Sequence, residues 1–247
     1  NQLKTRLDKW LYFIKHLEAK GQLLRNFTQN IDTLEELADI KNVVYCHGSF
    51  STATCIECKA KFTCDHLKQF MAESSIPYCS SCKTGVVKPD IVFFGEPLPS
   101  EYDKHLEEDV NHVDLLIVIG SSLKVQPVSM IPDFLNPSVP QILINRERLD
   151  HHFDIELIGD ADIILGEIAR KLGTEILGPY DLSKAEAELA IKFVEPNISL
   201  FSGCSLGSRP VIPQPSQDGS MMAQTLLGSD QPQECQRLIQ QMFPKPE

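Results

Sequence analysis

Two Cys-x-x-Cys pairs constrain this chain more than any other feature of its sequence. Cys55 and Cys58 form the first pair, Cys79 and Cys82 form the second, and residues 59 to 78 separate them. Two thiolates three positions apart can sit on one tight turn and face one metal ion, and a second such turn completes a four-thiolate shell. Because a closed shell leaves no position open for a substrate, this spacing predicts a structural zinc site. Two disulfides or four buried free thiols are the alternative interpretation.

The other cysteines and the net charge indicate where the chain works and what it binds. Cys46, Cys64, Cys204 and Cys235 are scattered and form no disulfide framework, which favours a reducing compartment. The formal net charge of -11 opposes tight binding to nucleic acid, since that binding needs clustered Lys and Arg. Basic, lysine-rich protein segments are more suitable partners. We expect neither a secretion signal nor a membrane span, because no suitable apolar run is present.

Apolar runs of strand length alternate with segments of helical periodicity along most of the chain. This alternation predicts an α/β fold with a doubly wound, Rossmann-like parallel sheet, in which ligands bind over the carboxyl ends of the strands. A further apolar run at residues 86–96 is predicted to return the chain from the zinc segment to the main sheet. The predicted strands are 23–28, 42–46, 113–119, 139–144 and 153–157, and the predicted helices are 3–17, 33–40, 99–112 and 163–172.

Polar residues follow four of these predicted strands. They are residues 29–32, His47 with Gly48, residues 120–122 and residues 145–147. Such positions are typical of a ligand site in a parallel sheet. Three of them have a simpler interpretation when taken alone: helix capping by Asn30 and Asp32, a structural histidine at 47, and an ordinary turn at 120–122.

The order of these motifs resembles the sirtuins, the NAD-dependent protein deacylases. The resemblance covers roughly residues 5 to 173. The amino acids in these motifs are most similar to those of class I, nuclear members of the sirtuin-1 type. The resemblance runs through Thr28-Gln29-Asn30-Ile31-Asp32, His47-Gly48, the four cysteines, Phe94-Gly95-Glu96, Gly120-Ser121-Ser122-Leu123-Lys124-Val125 and Ile144-Asn145-Arg146-Glu147.

The resemblance implies an enzyme that uses NAD and holds zinc. The reaction would transfer the acetyl group of an acetyl-lysine to ADP-ribose and release nicotinamide. His47 would be the general base that takes a proton from a ribose hydroxyl. Cys55, Cys58, Cys79 and Cys82 would hold zinc. The residues implied for NAD binding are Gln29, Asn30, Ile31, Asp32, Gly120, Ser121, Ser122, Asn145, Arg146, Glu147 and Ala161.

The resemblance also implies the partners of this chain. They would be acetyl-lysine proteins such as histones and transcription factors, which act in chromatin silencing and transcription regulation. The place of action would be the nucleus, with the cytoplasm as a second compartment. The acetylated segment would lie as an extended strand between two parts of the chain. Those parts are Phe94, Gly95 and Glu96 on one side, and Leu123, Lys124 and Val125 on the other.

The family pattern suggests how the chain is divided into domains. Residues 1–174 would form the deacetylase domain, with a zinc module inserted at about 53–88, and the Pro/Ser/Gln-rich residues 175–247 would form a largely disordered tail.

The sequence departs from the family pattern at two points. Sirtuins begin with a first strand and a glycine-rich phosphate loop, and this chain starts downstream of both the strand and the loop. We therefore expect unpaired edges in the sheet and weak or absent NAD turnover. The second departure is Ala161, where the sirtuin-1 type has cysteine.

Two other functions are consistent with parts of this pattern. A truncated sirtuin without catalysis would act as a protein-binding or regulatory module. A dehydrogenase with structural zinc would share the sheet and the cofactor, but the sequence has no Gly-x-Gly-x-x-Gly element. Formation of NADH would distinguish the dehydrogenase from the other two.

Overall fold

A computed structural model describes residues 8–73, 75–173, 190–195, 197–202 and 223–227. Its helices are α1 (Lys9–Ala19), α2 (Leu34–Leu37), α3 (Asp65–Ala72), α4 (Ser100–Asp109), α5 (Ile131–Phe134) and α6 (Ala161–Lys171). Its strands are β1 (Leu23–Thr28), β2 (Val43–Tyr45), β3 (Gly48–Cys55), β4 (Lys61–Thr63), β5 (Val87–Ile91), β6 (Leu115–Ile119), β7 (Gln141–Asn145), β8 (Ile155–Ile158), β9 (Ala190–Glu195), β10 (Ile198–Ser202) and β11 (Ala223–Leu227).

Eight strands form one large sheet in the order β2-β1-β11-β6-β7-β8-β10-β9. The pairs β1 with β2, β6 with β7, β7 with β8, and β8 with β10 are parallel. The predicted parallel α/β sheet is therefore confirmed. Its parallel strands carry their polar continuations to one edge, where a ligand can meet several of them.

The alternation of side chains along β6 explains why the sheet has helices on both faces. Leu115, Ile117 and Ile119 point into one cluster, which contains residues of α1 and α6, and Leu116 and Val118 point into a second cluster, which contains residues of α4 and α5. A strand that is buried on both faces needs apolar residues at every position, and β6 has them.

Within the described part of the chain, no helix is long and apolar enough to cross a membrane.

Strand β11 fills the position between β1 and β6. It is antiparallel to both neighbours, with Ala223 opposite Thr28 and Gln224 opposite Val118. The expectation that these edges stay unpaired is therefore wrong. An unpaired edge inside a sheet leaves buried backbone groups without partners, at a cost of about 1–3 kcal/mol each, and β11 supplies partners to both edges.

Three strands lie within residues 175–247, where the sequence predicts a largely disordered tail. Strands β9 and β10 form an antiparallel pair, and β10 continues the large sheet beside β8. Their apolar residues, which include Ile191 and Ile198, explain why this part pairs with the domain. Strand β11 is the third exception. The remaining residues of the segment lie outside the described part of the chain.

The cysteine pairs belong to a separate small sheet with the order β4-β3-β5. Both of its strand pairs are antiparallel. The prediction that residues 86–96 return the chain to the main sheet is wrong, because β5 pairs with β3. A local apolar run predicts a strand but does not determine which neighbour it pairs with. The lobe has its own core, made by Ala53, Cys55, Leu67, Cys79 and Val87.

Candidate functional site

The four paired cysteines of the small lobe come together in space. Their sulfur atoms all lie within 4.8 Å of one another. The Sγ atoms of Cys55 and Cys82 are 3.7 Å apart, and those of Cys58 and Cys79 are 3.6 Å apart. A tetrahedral zinc site with Zn–S bonds of about 2.3 Å places its sulfurs about 3.8 Å apart. The four thiols therefore fit zinc, whereas a disulfide would bring two sulfurs to about 2.05 Å.

Backbone amides around the second pair favour the thiolate form that a metal needs. Gly85 donates to the Cys82 Sγ at 3.3 Å, and Ser81 donates to the Cys79 Sγ at 3.3 Å. The amides of Gly85 and Thr84 lower the pKa of the Cys82 thiol to about 6. Because thiolates are the zinc ligands, this turn is prepared for a cation.

The carboxyl end of β1 holds the first group of predicted cofactor residues. The Thr28 carbonyl accepts a hydrogen bond from the Cys46 amide at 2.9 Å, and its hydroxyl oxygen accepts one from the Asn30 amide at 3.1 Å. Gln29 is buried, Asn30 and Ile31 are partly buried, and Asp32 is exposed. The Asp32 carboxylate accepts a hydrogen bond from the Leu34 amide, as the capping interpretation predicts.

His47 follows β2 and lies beside this turn. Its ring is half-buried, and burial lowers its pKa, while a hydrogen bond to the backbone of Gln29 acts in the opposite direction. The imidazole is therefore neutral near pH 7, and a neutral imidazole that donates one ring N–H to the Gln29 backbone has its other nitrogen as a proton acceptor. Gly48 has φ of 68°, and a Cβ there would collide with the Asp90 carbonyl oxygen. Only glycine allows β5 to pass this close to the histidine.

The ends of β6 and β7 are joined by a network around Asn145. Its side-chain amide donates to the Glu147 carbonyl at 2.9 Å and to the Ser121 carbonyl at 3.4 Å. The Gly120 amide donates to the Ile144 carbonyl at 2.8 Å, and Gly120 has φ of 58°. Ser121 is buried and Ser122 is partly buried. This network brings the second and third groups of predicted cofactor residues together.

The chain after β8 leads into the start of α6, where the last predicted cofactor residue lies. Arg146 forms an ion pair with Asp160 at 3.0 Å, and the Asp160 carboxylate also caps α6 by accepting a hydrogen bond from the Asp162 amide. Ala161 is the first residue of α6 and is partly buried, and Glu147 is exposed. The residues after β6, β7 and β8 thus lie on adjacent strands, whereas β11 separates them from residues 29–32.

The residues predicted to bind a peptide lie on two loops. Phe94, Gly95 and Glu96 are exposed in the turn that follows β5, and the Val92 amide ties this segment to the His47 carbonyl at 2.9 Å. Leu123, Lys124 and Val125 follow the Ser121–Ser122 turn. Leu98 and Leu123 both pack against the core cluster that contains residues of α4 and α5. That shared support places the two loops on the same face of the sheet.

Glu35 is a buried acid near the site, and its burial was not predicted from the sequence. It lies in α2, which is shorter than the predicted helix 33–40 because Thr33 and Asp39 have φ of 64° and 61°. Glu35 has 0% exposure, and neither of its carboxylate oxygens has a hydrogen-bond partner within the described part of the chain. Burial raises the pKa of Glu35, and the nearby Thr28 hydroxyl partly offsets the rise. Nothing in the sequence signals its burial, because the adjacent Glu36 is the same residue type and is exposed.

Replacing Glu35 with glutamine should stabilise the protein at alkaline pH. Because the folded-state pKa of Glu35 is raised, its neutral form is stable in the fold, and stability is lost as pH rises from the ordinary glutamate pKa through the folded-state value. The gain of Glu35→Gln over the parent should be small near pH 4 and reach about 1 kcal/mol or more above pH 8. Urea unfolding at several pH values measures it.

The neighbouring Glu36→Gln serves as the control, since that carboxylate is exposed and bonded to the Ser51 hydroxyl. A stability difference for Glu35→Gln that does not change with pH would show that the buried acid carries no cost.

Comparison with known proteins gives a consistent result. The model of the Sir2 family matches residues 2–127. The chain is 50% identical over 168 residues to the NAD-dependent protein deacetylase sirtuin-1 of Rattus norvegicus, with 66% of this chain and 30% of that protein covered. It is 51% identical over 173 residues to the NAD-dependent protein deacetylase sir-2.1 of Caenorhabditis elegans, with 68% and 28% covered.

Solved structures agree with these relatives. A structure described as Sir2 with p53 peptide and NAD+ matches with a TM-score of 0.64 and 27% identity, over 68% of this chain and 71% of that one. A structure from work on the mechanism and regulation of Sir2 enzymes matches with a TM-score of 0.60 and 32% identity, over 66% and 67%. The chain spans less than a third of the length of the curated relatives named above.

Proposed function

This chain belongs to the Sir2 family, and from that premise we propose that it is an NAD-dependent protein-lysine deacetylase. The observation that carries the proposal is the environment of His47. A neutral, half-buried imidazole lies at the carboxyl edge of a parallel sheet and is bonded to the backbone of Gln29. Polar residues follow β6 and β7 at the same edge.

The proposed division of the chain follows the family pattern. The catalytic domain comprises residues 1–174, and the zinc module is inserted at about 53–88. Strands β9, β10 and β11 add further strands to its sheet.

The proposal assigns the chemistry to residues at the strand ends. When bound, NAD supplies the ADP-ribose that accepts the acetyl group and the nicotinamide that leaves. His47 accepts a proton from a ribose hydroxyl at its free ring nitrogen, and the Gln29 carbonyl holds the other nitrogen in orientation. Asn30 and Asp32 bind the nicotinamide end. Asn145, already held by its contacts with Ser121 and Glu147, meets the adenosine end beside Arg146 and Ala161.

Zinc has a structural role in this proposal. Four thiolates close its coordination shell, so no site remains for a reacting group. The metal fixes the lobe that carries β3 and β5, and β5 leads to the Val92 amide that contacts the His47 carbonyl. The lobe thereby supports one wall of the site without contact with the reacting atoms.

The proposed substrates are acetyl-lysine segments of proteins, with histones and transcription factors as the class. A relative from Drosophila melanogaster is named an NAD-dependent histone deacetylase, and a structural relative was solved with a p53 peptide. The acidic net charge of this chain favours lysine-rich partners. We place its action in the nucleus, with the cytoplasm as a second compartment.

Incubation of the purified chain with NAD and an acetyl-lysine peptide tests the proposal. We expect nicotinamide and deacetylated peptide to form slowly but in a one-to-one ratio, measured by chromatography and mass spectrometry. The same peptide without the acetyl group is the control and should release no nicotinamide. Formation of NADH, followed by its absorbance, would instead identify a dehydrogenase and contradict the proposal.

The pH dependence of that reaction should reflect the lowered pKa of His47. A general base works in its neutral form, so activity is retained as pH falls until the folded-state pKa is reached. Because burial lowers this pKa from 6.5, the acidic limb of the rate profile should have its midpoint below pH 6.5. A midpoint clearly above 6.5 would mean that another group controls the rate or that the pKa of His47 is not lowered.

Strand β11 favours a second candidate function, that of a protein-binding module without catalysis. It runs antiparallel to β1 and β6, and its Ala223 lies opposite Thr28, next to the predicted cofactor residues. Because β11 begins at the carboxyl end of β1, its first residue occupies space beside the residues proposed to bind the cofactor. Binding of the acetylated peptide with no release of nicotinamide would support this candidate over the deacetylase.

A further inference from the structure

Lys88 is a basic residue in the apolar run that forms β5, and its ammonium group has three contacts. It donates to the Ile91 carbonyl at 2.6 Å and to the Glu96 carboxylate at 2.9 Å. It also lies over the Phe93 ring, 4.4 Å from the ring centroid. Carbonyl oxygens, carboxylates and aromatic faces all attract an ammonium ion in proteins. All three belong to the segment that follows Lys88.

The Glu96 carboxylate extends these contacts into a closed turn. The same Oε2 atom that meets Lys88 accepts a hydrogen bond from the Phe93 amide at 2.9 Å, and the Glu96 amide donates to the Phe93 carbonyl at 3.0 Å. The Phe93 amide and the Lys88 ammonium lower the pKa of Glu96, so the group is an anion at neutral pH. The turn from Phe93 to Glu96 is therefore held by backbone and side-chain bonds together.

This turn presents Phe94 to solvent. The Phe94 side chain has 93% exposure, and Phe93 has 51%. Just before the turn, the Val92 amide bonds to the His47 carbonyl at 2.9 Å. A fixed turn with an exposed aromatic ring, tied to the proposed catalytic histidine, is suited to receive another chain.

The contacts of Lys88 contribute little to global stability. Lys88 has 26% side-chain exposure and Glu96 has 41%, and partly exposed ion pairs of this kind add little to the free energy of unfolding. Their effect is local, because they restrict a turn that would otherwise sample several conformations. Rigidity in the bound conformation raises affinity by reducing the entropy lost on binding.

We propose that Lys88 is a positioning residue for the substrate, which fixes the Phe93–Glu96 turn in the conformation that pairs with the acetyl-lysine segment. This inference rests on the proposed function for the identity of the ligand. It assigns no contact between Lys88 and the substrate. Lys88 acts through Glu96 and Phe93, which in turn set the position of Phe94.

The first test replaces Lys88 with methionine in the full 247-residue chain. Fluorescence anisotropy with a labelled acetyl-lysine peptide should show a Kd about 10-fold higher than for the parent. Lys88→Arg should stay within about threefold, because guanidinium can also bond to Glu96 and stack on Phe93. The matched control is Lys61→Met, which removes an exposed lysine paired with Asp90 in the same lobe. Zinc content and thermal midpoint should be unchanged in all three variants.

The second test does not depend on peptide binding. Chymotrypsin cleaves after exposed phenylalanine in mobile segments, so cleavage at Phe93 and Phe94 should be faster in Lys88→Met than in the parent or in Lys61→Met. Equal cleavage rates, or a Lys88→Met variant that binds the peptide as the parent does, would overturn the inference. If the parent also fails to bind the peptide, the proposed function fails, and the cleavage rates alone decide whether Lys88 fixes the turn.

Discussion

Replacing His47 with tyrosine should lower the rate of peptide deacetylation by at least about 100-fold, the typical contribution of a general base. The imidazole is neutral and bonded to Gln29 on one side, so its free nitrogen is the proton acceptor in the site. A phenol lacks a basic nitrogen and stays protonated at neutral pH. Single-turnover measurement with NAD and an acetyl-lysine peptide isolates this loss from binding effects.

His152→Tyr is the matched control for this experiment, because His152 is exposed on the segment between β7 and β8. It should retain the parent rate. The thermal midpoint of His47→Tyr should stay close to that of the parent, since the ring is only half-buried. Deacetylation at the parent rate by His47→Tyr would remove this residue from its proposed role.

Replacing Cys58 with serine should release the metal and unfold the small lobe. The loss of a group that merely supports a zinc ligand weakens metal binding 10–100-fold, so loss of a ligand should exceed about 100-fold. Among the described residues, the core of the lobe has five buried members, and two of them are the predicted ligands Cys55 and Cys79. Without the metal, that core lacks the apolar contacts to hold three short strands. Metal analysis and hydrogen exchange of β3, β4 and β5 measure the two effects.

The same lobe offers a matched control in Cys64→Ser. The Cys64 thiol bonds to the Thr52 carbonyl at 3.0 Å and lies outside the cluster of four. Its removal should leave zinc content unchanged. Full zinc occupancy and unchanged exchange in Cys58→Ser would show that Cys58 is not a ligand. Loss of deacetylation with an intact lobe would instead mean that zinc takes part in the chemistry.

Local signals in the sequence were sufficient for most of the strands and for the metal cluster. β1 begins and ends at the predicted residues, Leu23 and Thr28, and β6 is apolar at every position because it is buried on both faces. The cysteine spacing predicted the cluster because two tight turns leave few other arrangements of four thiols. The roles of the predicted cofactor and peptide residues remain predictions.

Pairing partners could not be predicted, because they depend on residues far apart in the chain. β5 reads as a strand, but only the folded lobe shows that it pairs with β3. β11 has five residues in a segment rich in Pro, Ser and Gln, and its two partners lie roughly a hundred or more residues away. The burial of Glu35 and the contacts of Lys88 likewise arise from tertiary packing, which composition and periodicity do not record.

The position of β11 has a consequence for how the protein is made. β1 and β6 are synthesised long before residues 223–227, yet this late segment is what joins them in the sheet. While the chain is still on the ribosome, the sheet exists as two unconnected parts with open edges, β2 with β1 and the strands from β6 onward. The join can form only after residue 227 has left the exit tunnel, so the facing edges of β1 and β6 stay unpaired until synthesis has passed that residue.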